Sequence, residues 1–211
     1  MHESRFDVVI RRTATILSVV IITLSLIAAS TGILLSIYYE PASGRSYQSL
    51  KVITEQIEYG WLFRRAHFIA GNGIIVFALI QIVVMFLGRQ FSKSWYTAWV
   101  SGILLALSVM GLSWTSMILG WDQVGFWRFN IELGTIEAIP FIGQQLREIL
   151  TGGSGVSTLT IQRLYTIHSY ILSTAAIILS VVHLFSVLWV EKQLSTPKDL
   201  VQGVGASVAE S

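Results

Sequence analysis

The stretch Ala66-His67-Phe68-Ile69-Ala70-Gly71-Asn72-Gly73-Ile74-Ile75-Val76-Phe77-Ala78-Leu79-Ile80-Gln81-Ile82-Val83-Val84-Met85-Phe86-Leu87-Gly88 contains no Asp, Glu, Lys or Arg. A bilayer core is crossed by roughly 20 apolar residues in helical conformation, so this run is long enough to span it. Three more runs share the property: Thr13 to Tyr39, Ser94 to Gly120, and about Ile167 to Val190. In chain order they are spans A to D, with the quoted stretch as B. They predict an all-α, integral membrane protein built as a four-helix transmembrane bundle.

Composition agrees. Of the 211 residues 53% are hydrophobic and 12% charged, against about 25% charged in a soluble domain. The net charge of +2 is small and the basic residues are scattered among the span ends, which argues against nucleic acid as a partner. There is no cysteine, so disulfides, iron-sulfur clusters on this chain and thioether-linked haem are excluded. Span A is too long for the apolar region of a signal peptide and lacks a small-residue cleavage site followed by a soluble domain. Tyr38, Tyr39, Trp95, Trp99 and Trp189 lie near span ends, where amphipathic rings prefer the interface.

Residues 1–12 read as a cytoplasmic segment, 13–194 as the membrane domain, and 195–211, with Pro197 and several Gly and Ser, as a disordered or partner-bound tail. An even number of spans puts both termini on one side. That side also holds the short B–C link and carries Arg5, Arg11, Arg12, Arg89, Lys93, Lys192 and Lys198. The opposite side carries seven Lys and Arg as well, but spread over longer loops with more acids, so the positive-inside rule leans only gently towards cytoplasmic termini. A prokaryotic cell membrane is expected, with a thylakoid membrane as the alternative.

Three histidines interrupt these apolar runs. An ionisable side chain in hydrocarbon is costly and points to a functional site. Spans B and D both follow a long loop, so they cross the membrane in the same direction, with His67 and His168 at matching depth. Gln81 follows His67 by 14 residues and His183 follows His168 by 15, which places the second pair about 21 to 23 Å deeper in a helix. Fourteen or fifteen residues is close to four turns, so each helix turns both positions towards nearly one face. Two such helices can sandwich one porphyrin near each membrane surface, neutral imidazole being a suitable iron ligand. His2 is terminal and reads as solvated.

Four ordered segments carry a family resemblance: Gly60-Trp61-Leu62-Phe63-Arg64-Arg65-Ala66-His67; Gly120-Trp121-Asp122-Gln123-Val124-Gly125-Phe126-Trp127; Ala138-Ile139-Pro140-Phe141-Ile142-Gly143; and Thr158-Leu159-Thr160-Ile161-Gln162-Arg163-Leu164-Tyr165-Thr166-Ile167-His168. Together they resemble the N-terminal half of cytochrome b over about residues 10–195, at a length similar to the split form, cytochrome b6. The resemblance implies a haem b electron-transfer subunit of a cytochrome bc or b6f-type quinol oxidoreductase. His67 and His168 would hold the positive-side haem, and the negative-side haem would lie between His183 and the position of Gln81. Small residues where the porphyrins approach the backbone fall at Ser18, Gly32, Gly102 and Ser116. Arg64, Arg65 and Arg163 become candidates for the propionates, as charge-assisted pairs.

Two departures fall on the negative-side site. Gln81 stands where the family has histidine, and Phe185, Leu188 and Trp189 occupy a stretch of D where the family commonly has a cation, with Lys192 farther on. A second haem with altered ligation is expected, five-coordinate on His183 or completed by Gln81 or, one turn on, by Met85. An empty site and a packing role for Met85 are the alternatives.

The C–D loop, with Pro140 between two apolar segments and Gly152-Gly153 at its end, predicts two interfacial helices. By resemblance they cover the quinol pocket, for which Trp121, Asp122, Gln123, Phe126, Ile139 and Pro140 are candidates; Trp121-Asp122-Gln123 also reads as simple helix termination. The family's Pro-Glu-Trp-Tyr string is absent here. The resemblance therefore implies a partner like subunit IV that supplies the second half of cytochrome b, a Rieske iron-sulfur protein, a c-type cytochrome or equivalent acceptor, surrounding membrane lipid, and a homodimeric complex. Quinone is the implied substrate, and no acid-base catalytic residue is identifiable in this chain alone. The alternative is a haem b membrane anchor linking quinone to a peripheral dehydrogenase or hydrogenase.

Overall fold

The computed structural model describes residues 5–88 and 90–195. Among these residues every regular element is helical: α1 (Arg5–Ser36), α2 (Ser46–Glu55), α3 (Gly60–Leu87), α4 (Tyr96–Leu119) after a 3-10 turn at Lys93–Trp95, α5 (Gln123–Glu137), α6 (Gly143–Thr151), α7 (Thr158–Thr166) and α8 (Ser173–Ser195). A π-helical turn, Ile167–Leu172, joins α7 to α8 without a break. Among the described residues four helices are long and apolar enough to cross a membrane: α1, α3, the 3-10 turn with α4, and α7 through α8. The residue calls on Arg89, Lys198, Pro197, His2 and the tail beyond Ser195 lie outside the described residues.

The helices outrun the charge-free stretches. α1 begins with Arg5, Asp7, Arg11 and Arg12, α3 begins six residues before Ala66 with Arg64 and Arg65, and the last span begins at Thr158 and includes Arg163. Long basic side chains keep their heads in the interface while the backbone stays helical, so a charge ends an apolar stretch without ending a helix. The loop between the first two spans also contains a helix, α2, that the apolar pattern does not reveal. α5 and α6 are the two expected interfacial helices.

Packing follows a ring: α1 lies against α3 and α8, and α4 against α8 and α3. The helices bearing the histidines, α3 and α8, therefore face each other across a diagonal. Three apolar layers fill the bundle. The middle one joins Ile21, Ile74, Ala78, Leu105, Ala106, Val109 and Ala176, whose alanines let the backbones approach closely, as membrane helices require. One end is closed by Ile118, Phe129, Leu133, Ile161 and Leu164, the other by Met85, Trp95, Ala98, Val187 and Val190. Trp95 is thus core, with 4% of its surface exposed, and Met85 packs beside it.

Short-range chemistry sets the corners. Tyr59 sits in left-handed backbone (φ 58°) just before α3, and Gly60 follows because a β-carbon there would stand 1.9 Å from the Ile53 carbonyl oxygen. Asp122 is the N-cap of α5, its carboxylate accepting from the Gly125 amide at 2.7 Å. Ser157 and Thr160 form a capping box at the start of α7. Tyr39 donates its phenol to the Leu119 carbonyl at 2.8 Å, tying the loop after α1 to the end of α4; burial raises this phenol's pKa to about 12.

Candidate haem seats

His67 on α3 and His168 in the π turn meet across the bundle with ring centroids 6.4 Å apart and ring planes inclined by 55°. Two metal–nitrogen bonds of about 2 Å each, plus the run from each nitrogen to its ring centre, add up to about 6 Å. The spacing therefore fits one iron between the rings.

The outer nitrogens fix the tautomer. His67 Nδ1 lies 2.8 Å from the Ala28 carbonyl and 3.2 Å from Thr31 Oγ1, and His168 Nδ1 lies 2.9 Å from Thr115 Oγ1. The Thr31 hydroxyl already donates to Ile27 O at 2.7 Å and the Thr115 hydroxyl to Gly111 O at 2.9 Å. Each hydroxyl must therefore accept from an Nδ1–H, which leaves the Nε2 lone pair of each ring for a metal; this proton placement is assigned from the partners.

Small residues make room for the rings. A β-carbon on Gly32 would lie 3.0 Å from His67 Cε1, and one on Gly102 would lie 3.0 Å from His183 Cε1. Ser18 is buried and accepts from Gln81 Nε2 at 3.1 Å. Ser116 is exposed and bonds Ser113 O; the α4 residue that reaches His168 is its neighbour Thr115. Thr31, Thr115 and, at the second site, Ser101 are not singled out by the spacing of histidines and small residues. The signal was present in the pairs Thr31-Gly32, Ser101-Gly102 and Thr115-Ser116, each a hydroxyl followed by a small residue.

The π turn resolves the unequal spacing. Within it the Ser173 amide bonds the His168 carbonyl, five residues back instead of four. A π turn accommodates one extra residue in a helix, so the 15 residues from His168 to His183 cover the same rotation as the 14 from His67 to Gln81. All four positions thereby face the interior at two levels.

At the second level His183 and Gln81 are 1% and 2% exposed. His183 Nδ1 lies 3.0 Å from the Ala98 carbonyl and 3.3 Å from Ser101 Oγ, and His183 Nε2 lies 3.0 Å from Gln81 Nε2. Met85, one turn on, packs with Trp95 and Val187.

The remaining candidates sit at the membrane surfaces. Arg64 donates to Thr54 Oγ1 at 2.8 Å and Arg163 to the Ile149 carbonyl at 2.8 Å. Arg64 and Arg65 share a shallow cleft with Trp61 and Phe68. Trp121 adopts left-handed backbone (φ 47°) and meets Phe126 edge-on, ring centroids 5.5 Å apart. Gln123 accepts from Trp127 Nε1 at 3.1 Å. Ile139 and Pro140 are exposed between α5 and α6.

Comparison with known proteins supplies the family. The family model described as cytochrome b/b6/petB matches residues 7–190. Cytochrome b6 of Cyanidium caldarium is 32% identical over 162 residues, 77% of this chain and 75% of the relative. Cytochrome b6 of Desmonostoc sp. (strain PCC 7906) is 32% identical over 172 residues, 82% of this chain and 79% of the relative. A solved structure titled hyperthermophilic respiratory Complex III is similar in fold, with a TM-score of 0.73 at 20% identity; the match covers 82% of this chain, which spans 47% of that one. The capped, facing imidazoles on two diagonal membrane helices are thus set in a chain that belongs to the cytochrome b family, of the b/b6 kind.

Proposed function

We propose that this chain is the haem b subunit of a quinol-oxidising complex of the bc/b6f type, with its haem seat between His67 and His168 at the positive side of the membrane. The observation that carries this reading is the ring pair itself, 6.4 Å apart, with each Nδ1 bonded outward to α1 or α4. A haem b held there supplies reversible one-electron chemistry. The chain's own residues do the rest: Ala28, Thr31 and Thr115 orient the imidazoles, Gly32 leaves room for one ring, and the Ile118–Phe129–Leu164 layer keeps water from that end.

Arg64, Arg65 and Arg163 are the cations at this end that could meet propionates, each after leaving its present neighbours. α5 and α6 follow the end of α4 that carries Thr115, and Trp121, Phe126, Ile139 and Pro140 would line a quinol pocket there. Asp122 and Gln123 hold the start of α5 in place, Asp122 as its cap. The pocket would be completed by a subunit IV-like partner. A Rieske iron-sulfur protein and a c-type cytochrome or similar acceptor would take the released electrons, in a homodimeric assembly with the termini of this chain in the cytoplasm.

The test is spectroscopic and biochemical. The purified complex should show a low-spin bis-imidazole haem b that disappears in His67→Ala and in His168→Ala. It should carry a Rieske protein and oxidise quinol. Persistence of that spectrum in both variants, or recovery with a peripheral dehydrogenase in place of a Rieske protein, would overturn the proposal.

A further inference from the structure

We infer that this chain seats a single haem, and that Gln81 and His183 form a hydrogen-bonded clasp between α3 and α8 where the family resemblance implies a second one. The inference rests on the reading of the His67/His168 seat given above.

At the first level the facing rings stand 6.4 Å apart, the width that an iron and its two bonds require. At the second, the facing donors are in direct contact, Gln81 Nε2 to His183 Nε2 at 3.0 Å. An iron between two ligand atoms needs about 4 Å, so this level is closed by about one ångström. The groups also present the wrong chemistry. His183 Nδ1 faces the Ala98 carbonyl and carries the proton, so its Nε2 is an acceptor and Gln81 must offer the amide NH2. An amide nitrogen has no lone pair to give a metal. The other N–H of Gln81 is donated to Ser18 Oγ, while Ser18 itself donates to Ala14 O at 2.9 Å. One chain of bonds thus runs from α1 through α3 to α8 and on to α4.

Further features of the same level agree. Met85 is committed to the layer with Trp95 and Val187, so it does not replace the missing ligand. Along α8 the stretch after His183 offers Phe185, Leu188 and Trp189 where a propionate would need a cation. The Gln81 Oε1 atom has no hydrogen-bond partner, a desolvation cost that the two amide N–H bonds offset. The clasp replaces the altered second ligation expected from the sequence, and a chain with one seat does not by itself span the membrane with redox centres.

The experiment is a haem count on the intact purified complex, with non-covalent haem b quantified as the pyridine haemochrome per copy of this chain, beside the variants His183→Leu and His67→Leu. One haem b per chain is expected in the wild type, one in His183→Leu and none in His67→Leu. Electron paramagnetic resonance should assign one low-spin species and no high-spin species to haem b. Two haems per chain, or loss of half the haem in His183→Leu, would overturn the clasp while leaving the proposed function standing. No haem b in the wild type would overturn both. If His183→Leu fails to assemble, the wild-type count and its spin state still decide.

Discussion

Gly32→Ala and Gly71→Ala are the same chemical change in neighbouring membrane helices, and the structure predicts opposite outcomes. In a helix interior alanine is favoured over glycine by about 1 kcal/mol. At Gly71 the new methyl meets nothing within 4 Å, so that gain is kept. At Gly32 it would stand 3.0 Å from His67 Cε1 and 3.4 Å from Nδ1. The imidazole has to retreat by a few tenths of an ångström, and its 2.8 Å bond to the Ala28 carbonyl opens. Overpacking of this kind costs about 1–3 kcal/mol, which turns a gain of about 1 kcal/mol into a net change between neutral and a loss of about 2 kcal/mol. The two variants should therefore differ by about 1–3 kcal/mol in thermal or detergent unfolding of the purified protein. The haem b absorbance should be weakened or shifted in Gly32→Ala alone. Equal stabilities with an unchanged spectrum would refute the placement of Gly32 against the ligand ring.

Three further perturbations separate other parts of the reading. Deleting Ile171, an exposed residue within the π turn, should convert that turn to ordinary α-helix and keep His168 in register with His183 and its haem bound. Deleting Ile178 from regular α8 should rotate the two histidines apart by about 100°, so that the His168 seat and the Gln81–His183 bond cannot both form, and the protein should unfold more readily than the Ile171 deletion; equal stability and equal haem content in both deletions would refute the one-residue role of the π turn. Asp122→Ala should lower stability by about 1 kcal/mol through loss of the α5 cap, while Asp122→Asn, which can still cap, should retain both stability and quinol oxidation; inactivity of the asparagine variant at unchanged stability would point instead to carboxylate chemistry. Tyr39 should stay protonated between pH 10 and about 12, because burial raises its pKa in the folded state. The stability it contributes is then complete below pH 10 and lost as pH rises through about 12; a difference absorbance titration against Tyr39→Phe showing ionisation near pH 10 would contradict its burial.

Much of this molecule is legible in one dimension. Charge-free runs of 23 or more residues admit few structures besides spanning helices, and two long loops with one short link order them. The histidines at matched depth were readable for the same reason: helical rise converts sequence separation directly into depth. Thr115 shows the limit of that arithmetic. Spacing places Ser116 where a porphyrin would approach the backbone, but it does not single out the neighbouring Thr115, about 100° round the helix, as the residue that bonds His168.

What the tertiary structure alone decided is how the two levels differ. A π turn is a local rearrangement of hydrogen bonds with no letter of its own, so the unequal spacings of 14 and 15 became one register only once the Ser173 amide was seen to bond the His168 carbonyl. The tautomers depend on carbonyls of α1 and α4, far from the histidines in sequence. Gln81 is visible in the sequence as a missing ligand, but whether that leaves a weak ligand, a gap or a bond depends on the distance across the bundle diagonal. The packing of four helices set that distance, wide enough for iron between His67 and His168 and a hydrogen bond long between Gln81 and His183.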